Sequence, residues 1–249
     1  MKQIFAGLVF SATLASAQPA IAPPRIGFVL DKANAVRPVF GVAGSFTLGD
    51  SIGSDVVSGS FLGSFGFAKT DSAIAVFDQD GQILYATDAP IGPALFGSHL
   101  AYLVQAKMLL RWTGTTLEPV DLRLDGEVLS IAQQDSGHAA AIVRREDGLR
   151  LVRFSVDSGA IEGQSAIPGI DGPVLLLHDG GFVFQNPDGI VIRRPDGSEI
   201  PLAARLSRLV QLQSMGSGWI QIADSGGLQL AVDIRPGREQ IYQLPEAQQ

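Results

Sequence analysis

Residues 184–202 read FQNPDGIVIRRPDGSEIPL, with Pro-Asp-Gly at Pro187–Gly189 and again at Pro195–Gly197. Asp-Gly pairs tolerate the positive φ of tight reversals, so each triplet predicts a chain reversal. Between them lies GIVIRR, short, apolar and β-branched, which predicts a strand. A strand of roughly six residues separates its ends by about 20 Å. The two acidic turns therefore cannot share a ligand; they mark the two ends of one strand.

Outward from this stretch the same grammar repeats. Apolar runs of strand length recur at 73–78 (AIAVFD), 128–134 (VLSIAQQ), 149–156 (LRLVRFSV), 174–179 (VLLLHD), 219–224 (WIQIAD) and 228–234 (LQLAVDI). No stretch after the N-terminal leader carries an amphipathic helical period of useful length, so the chain reads as all-β. One class of turn, at Asp80-Gly81, Thr113-Gly114, Ser158-Gly159, Asp196-Gly197 and Pro236-Gly237, returns about every 40 residues, the spacing of four-stranded propeller blades. Two further turns per unit divide each into four strands. The units fall at 55–89, 93–122, 127–168, 173–203 and 208–245. Residues 25–41 read as the last two strands of a further unit and 42–55 as a Gly/Ser-rich connection. The expected architecture is five complete blades plus an N-terminal strand pair, in a ring of five or six. A β-sandwich and a β-helix are the rivals.

On AVFDQDG (75–81), RFSVDSG (153–159) and VIRRPDG (191–197), each a strand ending in a polar turn, the chain resembles secreted bacterial β-propeller repeat proteins of the WD40-like or YVTN-like kind. No repeat carries a Trp-Asp pair or a YVTN tetrapeptide, so the resemblance implies a fold and no particular function.

The first residues predict export. Lys2 precedes an apolar stretch from Ile4 to Leu14, and Ala15-Ser16-Ala17 forms a small-residue cleavage site, the layout of a signal peptide cut after Ala17. The expectation is a secreted or periplasmic single domain over 18–249 with no integral membrane segment. Cysteine is absent, which excludes disulfides and thiolate metal sites. Net charge is −7, or −8 without Lys2, which disfavours nucleic acid as a partner.

Chemistry is sparse. His99, His138 and His178 fall in different units and registers, so convergence on a metal is not expected, and DQDG (78–81) lacks the rest of a calcium loop. No G-x-S-x-G elbow or phosphate loop is present. Arg144-Arg145 and Arg193-Arg194 read as local ion-pair formers beside Glu146-Asp147 and Asp196, and Trp112 and Trp219 as packing residues. No cofactor and no metal are expected. In a propeller the connections between units and the turns between second and third strands ring the channel mouth. That rim would carry Asp55, Asp71, Asp88, Arg123, Asp125, Asp147, Asp171, Asp188 and Arg205. The sequence thus favours a non-enzymatic module binding an unknown protein or small molecule. The alternatives are a lactonase-like or glycan-cleaving propeller using rim carboxylates, against which stand only two asparagines, and a subunit of a cell-envelope assembly.

Overall fold

A computed structural model describes residues 23–170, 172–216 and 218–246; the predicted leader and Asp171 lie outside them. The described residues form 23 strands and no helix. β1 (Arg25–Leu30), β2 (Val36–Val42) and β3 (Ser45–Leu48) make a three-stranded antiparallel sheet. Four-stranded meanders follow. They are β4 (Ser58–Phe61), β5 (Phe65–Lys69), β6 (Ala73–Asp78) and β7 (Ile83–Asp88); then β8 (Ala94–Gly97), β9 (Leu100–Leu103), β10 (Met108–Trp112) and β11 (Leu117–Val120). Next come β12 (Glu127–Gln133), β13 (His138–Arg145), β14 (Gly148–Ser155) and β15 (Ile161–Ile167), and β16 (Val174–Leu176), β17 (Phe182–Asn186), β18 (Gly189–Arg193) and β19 (Glu199–Ala203). The last is β20 (Leu209–Gly216), β21 (Trp219–Asp224), β22 (Gln229–Asp233) and β23 (Gln240–Gln243).

Apolar cores lie between successive sheets and carry the packing right round the ring. Val143, Val152 and Phe154 meet Leu100 and Leu109; Ile142 and Leu151 meet Leu176 and Val191; Ile190 and Ile192 meet Ile220 and Ile222. Middle strands packed on both faces are apolar through their centres, as in Ala139–Val143 of β13, whereas outermost strands such as β7 stay open to water. The predicted turn class does its expected work: Gly81, Gly114, Gly159, Gly197 and Gly237 all have φ between 70° and 100°. Asp188 and Asp196 sit in the turns on either end of β18, as the spacing required. The fold is an all-β propeller.

Three expectations are corrected. The N-terminal pair is a triplet, because Ser45–Leu48, read as connection, pairs with β2 from Val42↔Ser45 to Val39↔Leu48. Five separate complete blades are not found. Counted as hydrogen-bonded sheets of four strands or more there are four, three of four strands and one of eight. The reason lies in the three-stranded sheet, which has no inner strand among the described residues. The inner strands on either side of it, β20 and β4, therefore meet in parallel at Met215↔Phe61, with the Ser214 hydroxyl donating to the Phe61 carbonyl at 2.8 Å. The triplet is wedged between the halves of the joined sheet: Val29, Val39 and Phe46 pack on Met215, Trp219 and Ala231, while Phe28, Leu30 and Val36 pack on Val56, Phe61 and Phe77. The double arginines do form ion pairs, but Arg144 bonds Glu127, Arg193 bonds Glu199 and Arg194 bonds Glu239, partners on neighbouring strands or turns rather than the adjacent acids. Side chains of adjacent residues on a strand point to opposite faces, so cross-strand neighbours are nearer.

Candidate functional site: the central channel

The inner strands β4, β8, β12, β16 and β20 surround a channel, and their starting ends line an upper chamber of about 360 Å³. Its apolar wall includes Val57, Leu95, Leu129, Leu175, Val210 and Leu212; its polar wall includes Ser58, Ser60, Gln211 and Gln213, and no charged side chain lines it. The strands are pinned sheet to sheet by serines. Ser58 Oγ accepts the Ala94 N–H at 2.9 Å, and Ser130 Oγ accepts the Leu176 N–H at 2.9 Å. Such hydroxyls replace the backbone partners that short inner strands cannot offer one another.

A chain of amides closes the gap beside β1. Gln221, fully buried on β21, accepts the Leu30 N–H at 2.9 Å and donates to the Leu30 carbonyl at 2.7 Å. Gln213 Nε2 donates to Gln221 Oε1 at 2.9 Å, and Gln211 Nε2 to Gln213 Oε1 at 2.8 Å. One glutamine amide thus does for β1 what an inner strand would do.

The mouth of this chamber bears exposed apolar side chains: Val210 is 62% exposed and Val57 39%, with Ile91 at 70% in the β7–β8 connection that leads to the lining residue Pro93. Around them stand the predicted rim residues, on the strand ends that face this mouth. Asp55 has φ 58° and accepts the Ser54 hydroxyl at 3.0 Å. Asp71, in the β5–β6 turn, accepts the Lys69 ammonium at 3.3 Å through its carbonyl. Asp88 ends the outermost strand β7, at the periphery. Arg123 is exposed, 3.7 Å from Asp121. Asp125 accepts Arg145 Nε at 3.0 Å through its carbonyl, and Asp147 is ion-paired to Arg150. Asp188 and Arg205 come together in one open depression with Gln185 and Ser207. None of the eight described rim residues enters the chamber lining. The residues that do are mostly Val, Leu, Ser and Gln, types that look in sequence like ordinary strand composition.

Lys69 and Asp224 are among the perturbed titratable side chains near this face. Lys69 is fully buried, and burial lowers its pKa against the opposing pull of Asp71. Burial alone would raise the Asp224 carboxyl. The N–H groups of Ser207 (2.9 Å) and Leu228 (2.8 Å), with those of Gly226 and Gly227, outweigh it and hold the pKa below 3.8. A carboxylate with a depressed folded pKa stabilises the fold above its unfolded value, and that stabilisation is lost as pH falls through the folded value. Asp224→Ala is therefore expected to lower the melting temperature at neutral pH, and the gap from wild type is expected to close below about pH 4. Melting curves across pH 2–7 check this; a gap that persists at the acid end contradicts it.

The opposite mouth holds two of the histidines. A cavity of about 850 Å³ there is lined by both His99 and His178, with Gln133, Gln134 and Asp135. Both reach it because the turns between first and second strands lie at this mouth, a consequence of ring closure that separate registers in sequence do not reveal. His138 stands beside Asp135 of this lining, its pKa raised by the hydrogen bond from Nδ1 to Asp135. Among the described residues no group of three or more His, Asp or Glu is placed to hold a metal ion.

The architecture has counterparts among solved structures. The chain is similar to the WD40 β-propeller domain of Doa1, with a TM-score of 0.54 and 15% identity over 85% of this chain and 90% of that one. Looser similarity extends to Hsv2 of Kluyvelomyces marxianus (TM-score 0.45, 11% identity, 89% and 85% covered) and to the Pan2 WD40 domain of Neurospora crassa (0.45, 10%, 91% and 80%). No protein-family model matches the chain, and no curated relative matches it. At such identities the likeness defines the fold. The chain has the WD40-like propeller architecture.

Proposed function

We propose that the chain is a non-enzymatic interaction module that docks a protein partner over the upper channel mouth. The observation that carries this reading is the exposure of Val57 and Val210 on an uncharged mouth encircled by charged residues. An apolar centre inside a polar rim is the anatomy of protein interfaces, where a few central side chains dominate affinity. Asp55, Asp71, Asp88, Arg123, Asp125, Asp147, Asp171, Asp188 and Arg205 would then contact polar groups of the partner, with the Asp188–Arg205 depression the best-formed subsite. WD40 domains similar in fold make an interaction role the natural reading of this architecture. Neither the enzymatic nor the envelope-subunit alternative is favoured by the geometry of the mouth. We also propose that the protein is exported to the periplasm or beyond, that residues 1–17 are removed, and that 18–249 act as one domain. N-terminal sequencing of the protein recovered outside the cytoplasm tests this, with Gln18 the expected first residue.

The docking surface is tested on a partner captured by the wild-type protein and then purified. Val210→Asp places a charge in the apolar centre and is expected to weaken binding by tenfold or more, about 1.4 kcal/mol. Ile83→Asp, equally exposed but on the outermost strand β7, is expected to leave binding unchanged. Equal affinity for wild type and Val210→Asp would remove the reading.

A further inference from the structure

We propose that the guest at the upper mouth is a basic, extended polypeptide segment that places a backbone N–H on Gln211 Oε1; this rests on the interaction reading above. The polarity of the glutamine chain is imposed from its inner end. The Leu30 N–H must meet an oxygen and the Leu30 carbonyl a nitrogen, so Gln221 can adopt only one amide orientation. Gln221 Oε1 then requires a donor from Gln213, and Gln213 Oε1 requires a donor from Gln211. Each amide fixes the next, and the chain ends in the chamber on an acceptor. Among the described residues nothing donates to Gln211 Oε1, while Gln211 and Gln213 both line the chamber. A guest that completes the chain on Gln211 Oε1 brings a donor.

The rim supplies the second constraint. Asp55, Asp71, Asp88, Asp125 and Asp188 take part in no ion pair among the described residues; on the same face Lys107, Arg145, Arg205 and Arg208 are likewise without one, and Arg123 stands 3.7 Å from Asp121. The chain as a whole carries −7. An acidic field draws basic segments and sets their orientation on approach. The chamber itself has no carboxylate to pair a buried cation, so charged heads remain at the rim and the neutral backbone enters between Val57 and Val210.

The test pans phage-displayed random heptapeptides on the immobilised protein, with Val210→Asp protein as counter-target, and then measures synthetic copies of the selected peptides. Expected are Lys- or Arg-rich sequences whose affinity falls about tenfold with Gln211→Leu and falls about tenfold on N-methylation of one backbone position, the loss appropriate to one hydrogen bond in a desolvated site. Peptides that depend on Val210 but are neutral or acidic, or that ignore Gln211→Leu and N-methylation at every backbone position, would overturn the donor inference and leave the docking face standing. Peptides indifferent to Val210, or no selected peptide, would overturn both.

Discussion

Gly27→Ala is expected to destabilise the protein by more than about 4 kcal/mol or to prevent folding, the range reached only when something rigid must move. A methyl at Gly27 would stand 1.5 Å from the Met215 carbonyl oxygen and 2.6 Å from its carbonyl carbon. Both are backbone atoms, and Met215 is the residue through which β20 pairs with β4. Relief would require β1 to withdraw from the junction where the ring closes, undoing the packing of Val29 on Trp219 and of Phe28 on Phe61. Gly163→Ala is the control: it lies in outer strand β15 with nothing within 4 Å of the added methyl, and is expected to stay within about 0.5 kcal/mol of wild type. Denaturant unfolding of the two variants decides the matter, and a Gly27→Ala protein as stable as Gly163→Ala would refute this account of ring closure.

Gln221→Leu is expected to cost about 3 kcal/mol or more, at about 1–3 kcal/mol for each buried group left without a partner. Leucine keeps most of the volume, so little of the loss comes from a cavity. What is lost is the acceptor for the Leu30 N–H, the donor to its carbonyl and the acceptor for Gln213. For a domain of this size the melting temperature should fall by about 6–12 °C. Gln213→Leu, which leaves Gln221 both of its bonds to Leu30 and takes one bond each from Gln221 and Gln211, is expected to cost about 1 kcal/mol. If the two substitutions cost the same, Gln221 is not the surrogate strand that the geometry makes it.

The strands and their turns were legible before any coordinates because their causes are local. A glycine at positive φ after β6, β10, β14, β18 and β22 can be read from Asp80-Gly81 or Asp196-Gly197, since turn chemistry acts over two to four residues. The turns that carry Asp71, Asp147 and Asp188 could be read in the same way, as positions at one end of the strands. The chamber could not. Val57, Gln211 and Gln213 resemble any strand residues, and what distinguishes them is that they face a common axis. His99 and His178 share a cavity for the same reason.

The sequence by itself determined an all-β chain, the alternation of apolar run and polar turn, the four-strand unit, and which strand ends carry the acidic residues, because each follows from side-chain period and turn geometry within one unit. Tertiary structure alone decided how the ring closes. Where the described residues give the first sheet no inner strand, β20 and β4 join, and the Gln221 amide stands against Leu30, 191 positions away in the chain. Closure sets residues far apart in sequence at a few ångströms, and no pattern within a single repeat encodes which of its positions will face the axis.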